Sequence, residues 1–422
     1  MPLGLYLSVP FCRSKCSYCN FASDVFSRTL FQRYADRLST DIRNAFTTGQ
    51  QMGGRFERAL DSIYLGGGTP SLLGVSQLEQ LFVTIRQNFD LANNTEITVE
   101  CAPGTLSSAL IDALYHFGVT RVSLGVQSFV DAEAAAIGRL HKRHTVLQDV
   151  QNLRAAGITN INIDLIAGLP HQTSESWNVS LAETIATGAP HVSVYMLEID
   201  DESRLGRELI AGGTRYHAHF VPDEDATADF YLAACEELEK TGIGQYEISN
   251  FARPGFEARH NLKYWTRQPY LGFGVDAHSM LQASDDVYVL IRAAEANARN
   301  QSAGTAPCEA ALADIEAVRF STPDSLDDYL NGKPLQRTPV SRHSALEESF
   351  FLGLRLTRGV DLHQLESEFG RNAIKPFGET IEQFEKDGLL ERDGGVIRLT
   401  KGGRLLSNEV FQGFIVVDRT VV

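Results

Sequence analysis

The chain has 422 residues, 43% of them hydrophobic and 22% charged, the composition of an ordinary soluble globular protein with room for one large α/β domain and one or two smaller units. Lys and Arg number 38 against 53 Asp and Glu, a formal net charge of −15, which argues against a nucleic-acid footprint and an anionic membrane surface because both call for a basic face. No apolar run approaches the length that spans a bilayer, and the first strand follows Met1 too closely for a signal peptide, so a cytoplasmic protein is expected.

In chain order, Leu5-Tyr6-Leu7-Ser8-Val9 reads as a buried strand stopped by Pro10. Cys12, Cys16 and Cys19 follow in one loop, spaced CxxxCxxC. Apolar residues at Leu30, Phe31, Tyr34, Leu38, Ile42 and Phe46 recur at helical intervals and predict an amphipathic helix over 28–46. Ser62-Ile63-Tyr64-Leu65 reads as the next strand, running into Gly66-Gly67-Gly68-Thr69-Pro70 and a helix over 77–89.

The same unit of strand, loop and helix recurs. Residues 96–100 precede a helix over 108–117, residues 121–125 precede a helical stretch from Asp131, and strands at 160–164 and 191–195 flank a helix over 175–187. Six strands alternating with helices imply a parallel sheet, which right-handed crossovers curl into a full or partial barrel. In such folds the chemistry gathers where strands end. The polar and glycine-rich features sit at those ends: the cysteines, the triple glycine, Glu100, Gln127 and Asp164.

Beyond Tyr195 the pattern predicts a helix over 224–240, a strand over 245–249, a loop over 250–255 and then His260-Asn261-Leu262-Lys263-Tyr264-Trp265. If that stretch is helical, His260 and Tyr264 share a face at i and i+4. The alanine-rich segment 281–323 has no clear period and reads as an insertion. From about Ala345 a smaller unit follows: a helix carrying Phe350, Phe351, Leu354 and Leu356, helices over 362–369 and 381–386, a hairpin turning at Asp393-Gly394, and a closing helix over 402–410. Helices plus a wing predict a winged-helix-like domain. Glu366, Glu368, Glu382 and Glu385 make its helices acidic, which favours a packing or partner-binding role over DNA. The expected division is a barrel core over 1–240, an extension over 241–335 and the winged-helix-like domain over 336–422.

Three cysteines within one loop point to metal. A closed zinc site takes four ligands, and Cys101, Cys235 and Cys308 stand singly, which reads as three small buried side chains outside any disulfide framework. Zinc is therefore the weaker reading. An iron–sulfur cubane normally takes four thiolates, so a loop giving three leaves one iron open to an outside ligand.

With an aromatic before its last cysteine, the CxxxCxxC loop resembles the signature of the radical S-adenosylmethionine (SAM) superfamily. The resemblance implies that Cys12, Cys16 and Cys19 ligate a [4Fe-4S] cluster whose open iron holds SAM, that Tyr6 and Tyr18 lie beside the cofactor, and that the cluster takes electrons from a donor. Taken alone, Gly66-Gly67-Gly68-Thr69-Pro70 is compatible with a tight turn. In this context it resembles the glycine motif of the superfamily, so Gly67, Gly68 and Thr69 are expected at SAM.

Glu100, Gln127 in Gly125-Val126-Gln127-Ser128-Phe129, Arg139 and Asp164 match SAM-contacting positions of one branch, that of the oxygen-independent coproporphyrinogen III dehydrogenases and their relatives. Within it, three features resemble the HemW-type haem chaperones. Phe21 stands two after Cys19 where the dehydrogenase has a further cysteine, the dehydrogenase's N-terminal extension does not precede the first strand, and His260-Asn261-Leu262-Lys263-Tyr264-Trp265 matches the HNxxYW motif associated with haem. A histidine among aromatics, taken alone, reads as a hydrogen-bonded core residue. The resemblance instead places His260, Tyr264 and Trp265 at a haem site and implies haem transfer to an unidentified acceptor protein. The competing reading is coproporphyrinogen dehydrogenation by SAM-derived radicals, an activity the chain is expected to lack.

Overall fold

The computed structural model describes residues 1–290 and 314–415. Every second residue of the first strand, β1 (Leu3–Val9), is apolar, and Leu3, Leu5, Leu7 and Val9 are fully buried in the main core. The same alternation runs through β3 (Ala59–Gly67), β4 (Asp90–Cys101), β5 (Arg121–Gln127), β6 (Asn160–Ala167) and β7 (His191–Met196), with the short β2 (Gly54–Arg55) lying between β1 and β3 in sequence. Ile63, Leu65, Val99, Val122, Leu124, Ile161, Ile163, Val192 and Val194 join one core with helix residues such as Phe31, Leu38, Leu78 and Leu153. The other face is polar: Tyr64, Glu100, Arg121, Gln127, Asn162, Asp164 and Ser193 line a cavity. A strand set whose apolar side must meet helices and whose polar side must not will curl around the polar side.

The barrel is open. The sheet path ends on β13 (Gln336–Ser341) and β8 (Gly244–Gln245), and between them β10 (Tyr270–Phe273), β1, β3, β4, β5, β6 and β7 run parallel in that spatial order. β9 (Asn250–Ala252) caps one side antiparallel to β7, while β11 (His278–Ala283) and β12 (Ile315–Ser321) extend the other as antiparallel neighbours of β10 and β13. All six expected parallel strands are present, and the fold is an α/β partial (β/α) barrel with a C-terminal winged-helix-like domain. Among the described residues, no helix is long and apolar enough to cross a membrane.

Several local expectations are corrected. The strand placed over 245–249 is instead a fold-back between β8 and β9, because the Glu247 carboxylate accepts from the Ser249 N–H at 3.0 Å and from the Asn250 amide, doing what a ladder partner would do. The first three residues of the supposed loop at 250–255 form β9. The supposed insertion contributes to β11 and β12; residues 291–313 within it, and the expectation for Cys308, lie outside the described residues. Cys101 is buried as expected, but Cys235 is only half-buried. The helical stretch from Asp131 is two helices, Asp131–Ala136 and Arg143–Ala155, and Arg139 stands in the connection.

The C-terminal unit packs its own core. Phe350 from the helix Arg342–Gly353 stacks on Phe377 and Phe414 with ring centroids 4.8 and 4.9 Å apart. β14 (Val360–Asp361), β15 (Leu390–Asp393) and β16 (Val396–Leu399) form the wing, turning through Gly394 at φ +59. The closing helix breaks at Leu406 into Lys401–Leu405 and Ser407–Gln412. This unit is not remote from the barrel: Ile248 and Met280 share its core, and Leu356 bridges to Glu247.

Candidate functional site

The loop after β1 carries the three cysteines over the polar mouth of the barrel. Cys12 and Cys19 are half-buried and Cys16 is buried, and all three line a cavity of about 720 Å³. Burial pushes the Cys12 thiol up, and it accepts from Thr69 Oγ1 at 3.9 Å. Arg139 Nη1 donates to Cys16 Sγ at 3.5 Å and its Nη2 to the Gly125 carbonyl. Among the described residues no three His, Cys, Asp or Glu side chains converge on one metal ion. Three thiolates that each take a different iron of a cluster have no need to meet at one point, whereas a zinc ion requires it.

The glycine loop after β3 passes directly under the cysteine loop. A Cβ built on Gly68 would stand 2.6 Å from the Val9 carbonyl oxygen and 2.9 Å from that of Phe11, and the Gly68 and Thr69 N–H groups donate to those same carbonyls. Gly67 adopts φ +96 and turns its N–H to Glu100 Oε2 at 3.2 Å. Glu100 also accepts from the Tyr64 hydroxyl at 2.7 Å. Burial, with nearby Asp164 adding to it, pushes the Glu100 carboxyl up to about 7 against these two hydrogen bonds.

On the opposite wall the β5 ladder slips between Gly125 and Gln127, and Gln127 takes φ +69. A bulge at a strand end re-aims a side chain, and a residue other than glycine at positive φ is strained backbone of the kind held at functional sites. Gln127 Oε1 and Arg139 Nε are buried with no partner among the described residues. Asp164 accepts from Ser123 Oγ at 3.0 Å and from Asn162 Nδ2 at 2.6 Å, and burial raises its carboxyl. Tyr18 packs beside Ile137, Ile166 and Leu169 and faces the same cavity. One space thus collects Cys12, Cys16, Cys19, Tyr18, Gly67, Gly68, Thr69, Glu100, Gln127, Arg139 and Asp164.

Tyr6 belongs to a second, smaller chamber of about 310 Å³ that shares Gly67 and Phe21 with the first. The HNLKYW helix, Arg259–Trp265, sits below both and sends its side chains apart. Asn261 reaches the large cavity, Tyr264 the small chamber, and Trp265 a separate cavity of about 670 Å³ against the C-terminal unit, where Arg355 stacks over its ring at 4.2 Å. His260 reaches none of them. It is 1% exposed, its Nδ1 meets Ser62 Oγ at 3.0 Å and its Nε2 the Tyr264 hydroxyl at 2.8 Å. Burial, reinforced by Lys263, drops the imidazole to about 3, so it stays neutral. Lys263 itself is buried against Asp61 at 2.7 Å, and Gly4 in β1 leaves the room: a Cβ there would meet Lys263 at 2.8 Å.

Reading the sequence missed several lining residues. Tyr64, Arg121 and Asn162 occupy inward positions three or more residues below the strand ends, Tyr195 stands one residue before the end of its strand, and Arg355, Ser407 and Asn408 come from the C-terminal unit. The inward set carries a signal, polar residues at every second strand position. The C-terminal set carries none, since only the packing of the two units brings it to the mouth.

Residues 6–182 match the family model of the radical SAM superfamily, and residues 340–406 that of the HemN C-terminal domain. The chain is 33% identical to the heme chaperone HemW of Lactococcus lactis subsp. lactis over 99% of this chain and 98% of that protein. It is 31% identical to the heme chaperone HemW of Bacillus subtilis over 97% and 98%. Among solved structures, the coproporphyrinogen III oxidase HemN of Escherichia coli, a radical SAM enzyme, superposes with a TM-score of 0.76 at 23% identity, covering 98% of this chain and 90% of that one. That last likeness concerns the fold.

Proposed function

The chain belongs to the heme chaperone HemW family of the radical SAM superfamily, and from that premise we propose that it captures haem, retains it and hands it to an acceptor protein. The observation that carries this reading is the 33% identity to a heme chaperone across essentially the whole of both chains. The aromatic chamber beside the cysteine loop, framed by Tyr6 and Tyr264, supports it as a place for a flat ring system.

Family membership also implies a [4Fe-4S] cluster and SAM, and the residues present fit them. Cys12, Cys16 and Cys19 would hold the cluster, and Gly67, Gly68, Thr69, Glu100, Gln127, Arg139 and Asp164 would hold SAM, with Tyr18 beside them. Backbone without Cβ at the glycine loop and the unpartnered Gln127 Oε1 and Arg139 Nε are what a polar cofactor requires. When bound, the reduced pair supplies one-electron chemistry fed by an electron donor. In this protein the proposed task of the cluster and SAM is to govern protein contact or haem release, with Glu100 orienting the nearby glycine loop through the Gly67 N–H.

The reading keeps the three-part division at 240 and 335 and a cytoplasmic setting, where thiols for a cluster stay reduced. Its test is a hand-over experiment. Haem-loaded protein mixed anaerobically with an apo haem protein should surrender its haem faster than a denatured control, and coproporphyrinogen III with SAM and reductant should give no vinyl-bearing product. Vinyl product formed over many turnovers would replace the chaperone reading with the enzyme one.

A further inference from the structure

A haem iron needs an axial ligand with a free lone pair, and His260 has both ring nitrogens engaged inside the core. Another imidazole stands where one is needed. His278, first residue of β11, lines the mouth of the 310 Å³ chamber with its side chain 66% exposed. Its ring nitrogens make no hydrogen bond among the described residues; the nearest charged group is Asp276 Oδ1, 3.7 Å from Nε2. Asp276 is held at φ +53 while its N–H donates to the Pro323 carbonyl at 2.8 Å, so the turn before β11 is fixed in a strained form that presents both side chains to the chamber.

The walls suit a planar ring. Tyr264 and Tyr270 pack edge to face with centroids 4.6 Å apart, Tyr6 from the neighbouring strand lines the same chamber, and Phe21 is 63% exposed at the rim. At about 310 Å³ the chamber is at the lower end of ligand-pocket sizes, enough for part of a porphyrin with the rest lying over the open rim.

Resting on the haem reading above, we propose that His278 is the axial ligand of the haem iron and that the macrocycle enters the Tyr6, Tyr264 and Tyr270 chamber by one edge. One ring nitrogen of His278 donates its lone pair to iron, and Asp276 is placed to orient the ring through the other nitrogen, as carboxylates do behind metal-bound histidines. His260 then acts as a positioning residue, fixing the Tyr264 hydroxyl at 2.8 Å and with it one wall of the chamber.

The test uses the full, cluster-loaded chain titrated anaerobically with iron protoporphyrin IX and followed by absorbance. Wild type is run beside His278→Ala, His278→Met, His260→Ala and the exposed helix variant His144→Ala. His278→Ala is expected to weaken binding about ten-fold or more and to lose the imidazole-ligated spectrum, with free imidazole restoring it. His278→Met should bind with the spectrum of a thioether ligand. His260→Ala should keep imidazole ligation, and His144→Ala should match wild type. The proposal is overturned by His278→Ala keeping the wild-type spectrum and affinity, or by His260→Ala alone losing ligation; the haem reading survives either result. A wild type that binds no haem takes down both.

Discussion

The mouth of the barrel and the HNLKYW helix were both marked by compact motifs, yet the fold treats them in opposite ways. At the mouth, strand-end residues as far apart as Cys12 and Asp164, 152 positions along the chain, face one cavity. In the helix, six consecutive residues send side chains to three different cavities and a sealed core. The difference is topological. Parallel strands of one sheet end at the same rim, so residues at strand ends must meet; a helix turns 3.6 residues per turn, so neighbours in sequence must part.

The strongest way to break this comparison is to empty one region and read the other. Replacing Cys16 with Ala should reduce iron and sulfide bound after anaerobic reconstitution to background, while haem titration of the same variant stays near wild type, because Cys16 lines only the larger cavity and the two share Gly67 and Phe21 alone. Loss of both together would mean the regions are one site.

Gly68→Ala should disturb the fold and the cofactor site together. Its methyl group has nowhere to go against the Val9 and Phe11 carbonyls, so overpacking should cost about 1–3 kcal/mol, read as a lower urea midpoint, together with weaker SAM binding. A variant as stable as wild type would show that the two loops part easily.

His260→Ala strips a partner from the hydroxyls of Ser62 and Tyr264 and should cost about 1–3 kcal/mol for each hydroxyl left buried and unpaired. Tyr264→Phe removes one partner and should cost less. If His260→Ala were stability-neutral, the histidine would not be the structural pin that its hydrogen bonds make it.

The smallest effect is in pH. Glu100 is pushed up to about 7 by burial, above its unfolded value near 4.5, so its contribution to stability is present in full below about 4.5 and is lost as pH rises through 7. His260 works with the opposite sign: lowered to about 3 from an unfolded value near 6.5, its contribution is intact above 6.5 and is lost as pH falls toward 3. The stability difference between wild type and Glu100→Gln, read from denaturation midpoints of the cofactor-free chain, should therefore change between about pH 5 and 7 and level off above 7. A Glu100→Gln profile parallel to wild type throughout would contradict the buried-carboxyl account.

The same topology explains what was legible. Short apolar runs such as Leu5 to Val9, repeating with helices between them, announced the parallel strands, and punctuation by Pro10 and the triple glycine announced where they stop. β9 and the fold-back at Glu247 were not legible, because a side-chain carboxylate supplies the hydrogen bonds that a strand pattern would otherwise signal. Arg355, Ser407 and Asn408 were hidden for another reason: their place at the cavity depends on docking of the C-terminal unit, held by contacts such as Arg355 over Trp265 and the Thr357 N–H to the Tyr246 carbonyl. His278 was overlooked because its only mark is exposure beside an aromatic chamber, a property of three dimensions.

The central claim is that this chain holds haem at a defined site. Its most direct test is the equilibrium stoichiometry of haem on the cluster-loaded wild type, titrated anaerobically against a protein that binds haem only nonspecifically. The account predicts a saturating curve with one haem per chain and a spectrum of imidazole-ligated iron. A curve that rises without saturation and overlays the nonspecific control would contradict it.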